Sequence, residues 1–286
     1  MTDAAFELRE DADRAVELHR TGGGLLLRYV YRPDTPADEA ARPYAHPVNT
    51  LAGELLTNFR PNDHRWHHGL NFTINCLDGF NFWGGPTYRA GEGYKFRSDH
   101  GVQQHLRWAE KSAHRLVHAL DWRVAASGER LLTERRALAF ALVSPLAWSL
   151  RWTSALQNVT ARTLALGQYH SSHGLAGSHY TGLQFRGARE LLDEHMDPTI
   201  GIWADGGREG EQAVHGAPGH WMEWRGQKDG SQRRVAIRFE NAGAPVHWFV
   251  RRHNPLAALP FQYEKELLLA PGATLAVDHT LTFTDA

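Results

Sequence analysis

Five residues able to move protons or ligate metals, His46, Asp63, His64, His67 and His68, fall within about two dozen positions of this chain. Imidazole exchanges a proton or binds a metal near neutral pH without unusual tuning, so a functional site is expected to begin here. From Asp63 the chain reads DHRWHHG, a His-x-x-His-His spacing. On an extended strand His64 and His68 share a face while His67 points away; on a loop started by Arg60-Pro61-Asn62-Asp63, two or three rings can converge. Convergence with His46 would make His46, His64, His67 and His68 a nitrogen-rich set for one Zn, Cu, Fe or Ni ion. The HExxH pattern of helical zinc proteases is missing, and Asp63 fits a ligand, an orienting partner or a loop cap. The leading expectation is metal-free proton transfer without a cofactor: His64, His68 and Asp63 act on the substrate while His46 and His67 bind it. Structural histidines are the bland alternative.

A second group lies in QYHSSHGLAGSHY, residues 168–180, whose glycines let backbone approach a ligand. His173 and His179 are its preferred members, and Arg186 follows with a planar fork suited to a carboxylate. With 18 histidines in the chain, a polar surface loop with incidental histidines fits equally. Trp66, Trp83, Trp221, Trp224 and Trp248 offer indole faces to the C–H faces of sugars, Trp66 and Trp83 first because they flank the histidines; the rest are expected in the core. A proton-abstracting carboxylate is sought among Asp63, Glu223 and Glu264. Glu223 lies in WMEWRG, where two tryptophans would bury it and strand alternation would turn it to solvent. His253-Asn254-Pro255 is either a further polar contact, with His253 binding substrate, or a turn. No nucleophile elbow, phosphate loop, dinucleotide fingerprint or zinc knuckle occurs.

The elements that must position these groups read as strands. Alternation or short apolar runs mark 6–9, 16–19, 25–31, 115–124, 131–142, 147–159, 234–239, 246–250, 265–269 and 274–283. Residues 101–112 fit a helix or an alternating strand, and 32–42 read as a polar surface loop. Many strands without βαβ alternation indicate an all-β chain, an antiparallel β-sandwich or barrel, expected as a single domain over 1–286. With 286 residues, 42% hydrophobic, the core can be large. A formal net charge of −1 gives no field for nucleic acid or an anionic membrane. Cys76 is the sole cysteine, which excludes an intramolecular disulfide and a multi-thiolate metal site, and it is expected as a buried small hydrophobe. No leader-like N-terminus and no apolar stretch of about 20 residues appears, so a soluble, cytoplasmic protein acting on a small molecule is expected.

RPYAHPVNTLAGELLTNFRPNDHRWHHGLNF, then FNFWGG, SHYTGLQFRG, HWMEWRG, HNPLAALPF and LAPGATL resemble, in order from about position 28 to the end, the bacterial family called PmoA-like, or methane oxygenase PmoA. DH-x-x-HHGL is the most specific part. The label notwithstanding, nothing resembles the membrane-bound methane monooxygenase subunit, since spanning helices are absent. The resemblance implies a soluble protein tied to carbohydrate catabolism, with a large sandwich related to galactose mutarotase. If it extends to mechanism, one histidine stabilises or protonates an oxygen while a carboxylate removes a proton. The expected function is therefore acid–base epimerisation, elimination or hydrolysis on a sugar or similar oxygenated molecule. A metal-dependent oxygenase or lyase using the same histidines is the second reading, and a non-catalytic carbohydrate-binding protein the third.

Overall fold

The computed structural model describes residues 5–167 and 180–286, and among them two large sheets dominate. The first has eight strands in the order Phe6–Asp11, Ala15–Arg20, Leu25–Val30, Tyr44–Val48, Leu70–Ile74, Thr181–Arg186, Leu256–Leu259 and Phe249–Arg251. The second has nine, in the order Arg208–Glu209, Ile200–Ala204, Trp221–Gln227, Arg234–Asn241, Thr274–Asp285, Ala147–Asn158, Arg130–Ser144, Arg115–Val124 and Gly101–Lys111. Neighbours in both pair antiparallel, giving the all-β sandwich expected from the strand pattern.

Period-two alternation aims one face of each sheet at the other. Along Ala147–Asn158, Trp148, Leu150, Trp152 and Leu156 are buried while Arg151 and Gln157 face solvent. From the first sheet Phe72 and Phe185 meet Trp122, Trp224, Phe239 and Phe283 of the second. The alternate residues of these same central strands, Asn71, Thr73, Gln184 and Arg186, point to the opposite face yet are also buried. Something must cover that polar face, and the histidine-rich loop lies there. Asn71 Nδ2 donates to the carbonyl of His68 at 3.0 Å and to Gln184 Oε1 at 3.3 Å.

The structure decides one segment that the sequence leaves open and corrects part of another. Residues 101–112 resolve as the edge strand Gly101–Lys111, because the Arg115–Val124 strand supplies a partner that alternation alone cannot reveal. Residues 32–38 are mostly exposed, as a surface loop should be, but the end of the segment is a floor: Ala37–Glu39 forms a 3-10 turn, and Glu39, Ala40 and Arg42 are buried beneath the histidines. Cys76 is free and buried, as expected, and burial pushes its thiol up to about 11. Among the described residues no helix is long and apolar enough to cross a membrane.

Thr181–Arg186 can run between its neighbours only with glycine at 182. Its φ is +87°, and a Cβ there would stand 2.0 Å from the Leu259 carbonyl oxygen. Gly182→Ala must therefore shift the strand that carries Arg186, at a cost of about 1–3 kcal/mol. Urea unfolding should show a lower midpoint with unchanged slope; an unchanged midpoint would contradict this reading of the strand.

Candidate functional site

The segment 59–68 is a closed loop rather than a strand. Phe59 and His68 form an isolated bridge at its base, Arg60 N donates to the His67 carbonyl at 2.9 Å, and His67 N donates to that of His64 at 3.0 Å. Consecutive side chains leave such a loop on opposite sides, so His67 and His68 part company. His68 is fully buried, with Nε2 2.9 Å from Glu39 Oε2. Arg60 binds the other oxygen of Glu39 at 2.7 Å, and Arg42 ties together the carbonyls of Glu39, Ala40 and Trp66. His46 turns toward the same interior, its Nδ1 2.9 Å from Thr57 Oγ1 and its ring stacked on Phe59.

His64 and His67 face the other way, with ring centroids 5.2 Å apart. Together with Asp63, Trp66 and Trp83 they line a cleft of about 650 Å³, completed by Asn75, Asn81, Tyr88, Tyr94, Tyr180, Phe249, Arg251 and Asn254 among others. Trp83 stands edge-on to His67 at 5.6 Å and packs on Tyr180 at 5.1 Å; Trp66 covers His64 at 5.0 Å. Gly85 permits this packing, because a Cβ there would fall 2.5 Å from the Trp66 ring. The FNFWGG turn is fixed by Asn81, whose Oδ1 accepts from Trp83 N at 2.9 Å and Gly84 N at 2.8 Å while its Nδ2 donates to Thr87 Oγ1 at 3.0 Å.

His64 Nδ1 lies 2.9 Å from Asp63 Oδ2, an ionic approach outside hydrogen-bond alignment. What burial Asp63 has raises its carboxyl, but His64 and Arg186 outweigh this and hold it below the usual carboxylate range. Asp63 is thus an anion at neutral pH, able to orient His64 and to accept a proton, not to donate one. His67 is buried and neutral, with burial and the adjoining Arg186 depressing its basicity strongly. Arg186 Nη1 approaches its Nδ1 at 3.5 Å; a guanidinium only donates, so the proton of His67 belongs on Nε2.

Several expected members are elsewhere. His68 and His46, expected to act on and bind substrate, face the interior and do not line the cleft. The four-histidine metal set is accordingly split, and among the described residues no three His, Cys, Asp or Glu side chains are grouped to hold a metal. Glu223 sits on the nine-stranded sheet, paired with Arg225 and with Arg238 at 3.5 Å, because strand alternation turns it away from buried Met222 and Trp224. Glu264 is exposed beside a different hollow. His253 is exposed in a turn, as its alternative reading had it, and its neighbour Asn254 takes the place at the cleft. Trp224 and Trp248 are core; Trp221 stacks under Arg238 at 4.3 Å. His173 and His179 lie outside the described residues. Sequence reasoning missed the cleft's amides and tyrosines; Asn81 within FNFWGG and Tyr180 after His179 were the available signals.

A second hollow of about 660 Å³, lined by His279, Gln262, Phe261 and Val277 among others, shares no residue with the cleft. Its one lining carboxylate, Asp278, is tied to Arg151 at 2.9 Å, so it offers no free acid–base pair.

Burial draws His46, His68, His105 and His279 down to about 4, and His67 and His118 also well down. In the unfolded chain an imidazole takes up its proton near about 6.5. Between these values the unfolded chain binds more protons, so stability must fall as pH is lowered from about 6.5 toward 4, by up to ~1.4 kcal/mol per pH unit for each such histidine. Glu39 adds the same sign lower down: burial raises its carboxyl, His68 and Arg60 outweigh that, and its contribution is lost once pH drops through its lowered value. Urea midpoints should decline steeply from pH 7 to 5. A flat profile over that interval would contradict neutral buried histidines.

Residues 16–286 match DUF6807, a family of unknown function. The chain belongs to DUF6807. No curated protein matches it, and the PmoA name that its motifs resemble is not among the findings. Among solved structures the DUF6807 chain is similar to a galactose mutarotase-like protein from Lactobacillus casei ATCC 334, with 10% identity and a TM-score of 0.43 over 97% of this chain and 99% of that one. It is also similar to the galactosidase domain of the alpha-galactosidase-sucrose kinase AgaSK, with 7% identity, a TM-score of 0.43 and 98% and 42% of the two chains covered. A polysaccharide lyase follows at 9% identity and a TM-score of 0.38, covering 99% of this chain and 32% of the other.

Proposed function

We propose that this DUF6807 chain binds a sugar or similar oxygenated small molecule in the cleft and performs acid–base chemistry on it without a bound metal. One observation carries the reading: the Asp63–His64 pair and the donor His67 line the same cavity as Trp66, Trp83, Tyr94 and Tyr180. Flat aromatic faces suit the C–H faces of a pyranose, and amides at Asn75 and Asn254 suit its hydroxyls. In this scheme His64, oriented by Asp63, exchanges a proton with the substrate, and His67 Nε2 donates to an oxygen on which charge develops. The residues are compatible with epimerisation, elimination or hydrolysis alike.

A screen of neutral and oxidised sugars, read by thermal shift and by product formation, tests the proposal on protein made without a histidine tag. Conversion that is lost in Trp83→Ala, with no stoichiometric metal in the purified protein, is the expected result. Binding without any conversion leaves a carbohydrate-binding protein. Equimolar metal that is lost in His64→Ala overturns the metal-free scheme.

A further inference from the structure

Four cationic side chains of the described residues are less than one-tenth exposed: Arg42, Arg136, Arg186 and Lys228. Three of them are satisfied. Arg42 donates to three carbonyl oxygens and to Asn71 Oδ1. Arg136 engages Glu134, Tyr29 and Gln103. Lys228 holds the Leu55 carbonyl and Glu190. Arg186 does not follow the pattern: at 5% exposure its Nε has no partner among the described residues, and its one hydrogen-bond approach among them is the long one to His67 Nδ1. No carboxylate of the described residues stands within ion-pairing distance of it; the nearest acidic influence, Asp63, is exposed and turned to His64.

Leaving a guanidinium buried and unpaired is costly, and the cost shows here as burial pulling Arg186 down to about 10 with only Asp63 opposing. A native fold keeps such a group where an incoming anion completes it. Arg186 does not itself line the cleft: His67 stands between them, taking the guanidinium at Nδ1 and leaving its Nε2 proton for a ligand, so an anion on that proton is held by the positive charge behind the ring. The cation that does line the cleft, Arg251, is already engaged by Glu211 at 3.6 Å and His215 at 3.0 Å. We infer that the cleft takes a ligand bearing a carboxylate, an acidic sugar rather than a neutral one, and that Arg186, acting through His67, supplies its counter-charge. This rests on the carbohydrate reading of the same cleft. Arg186 supplies the buried positive charge behind the ring, and the His67 Nε2 proton is the donor to the carboxylate.

The test uses matched probes: D-galacturonate against D-galactose and against the methyl ester of galacturonate, and the corresponding glucose series. Binding to the full chain is measured by calorimetry and saturation-transfer NMR. The uronate of at least one series should bind at least tenfold more tightly than both its neutral counterparts, and the preference should shrink at 0.5 M salt. Arg186→Gln should erase the preference, and Arg186→Lys should restore part of it. Should Arg186→Gln fail to fold, the wild-type preference over the methyl ester still decides. Equal affinity for charged and uncharged partners overturns the acidic-sugar inference and leaves the carbohydrate reading intact. A uronate preference that survives in folded Arg186→Gln removes Arg186 from the role. Binding of no sugar in either series defeats the carbohydrate reading and this inference with it.

Discussion

Arg136→Ala should destabilise the fold by about 3–5 kcal/mol, the largest loss expected from any single substitution considered for this chain. Arg136 is wholly buried and ties the two sheets together. Its guanidinium pairs with Glu134 at 2.8 Å, donates to Tyr29 of the first sheet at 3.1 Å, and reaches Gln103, which in turn donates to the Phe72 carbonyl. Because arginine only donates, Tyr29 accepts from it and is free to donate its own hydroxyl hydrogen to His118 Nε2 at 2.9 Å. His118 Nδ1 then donates to His105 Nδ1 at 3.0 Å, which fixes the order of protons along the row. Truncating Arg136 leaves Glu134 as an uncompensated buried anion beside Trp122 and Ser154. A double variant, Glu134→Leu with Arg136→Met, removes both charges and should cost much less than the two single changes added together. Denaturant titration of the four species settles the matter; a loss below about 1 kcal/mol for Arg136→Ala would show that the row is not a structural tie.

Under the proposed acid–base function, the second large effect is on turnover. His64→Ala should lower kcat by about 10²–10⁴-fold, the range for a lost proton-transfer group, while changing stability little because the ring is partly exposed and carries no aligned hydrogen bond. His68→Ala should do the reverse. It strips a buried partner from Glu39 and leaves that carboxylate to Arg60 alone, so the expected loss is about 1–3 kcal/mol of stability, with activity falling only as far as the loop 59–68 loosens. The two histidines stand four positions apart in one motif, and the pair of measurements separates their roles. Wild-type turnover in folded His64→Ala would remove His64 from the chemistry.

The architecture was legible because strand signals are local. Period-two alternation at 147–159 and 274–283 follows from a sheet with one wet and one dry face, and the structure places strands at Ala147–Asn158 and Thr274–Asp285. Among the strands that escaped notice, Leu70–Ile74 and Thr181–Arg186 are central and buried on both faces, so their polar residues blur the alternation. The aromatic and histidine content of a site near position 64 was legible too. Which imidazoles share it was not, since DHRWHHG allows a strand or a loop, and the choice rests on Arg42 and Glu39 reaching in from a segment that reads as surface.

The sequence by itself determined the sandwich, the burial of Cys76 and the position along the chain where polar chemistry concentrates, all of which depend on residue type and short-range order. Tertiary structure alone decided that His64 and His67 open to a cleft while His46 and His68 close onto Thr57 and Glu39. It also decided that Glu223 belongs to another sheet and that Arg186 is buried with no carboxylate of the described residues in ion-pairing distance. These are facts about pairing across long chain separations, and pairing is set by how loops close over a sheet, which no local spacing encodes.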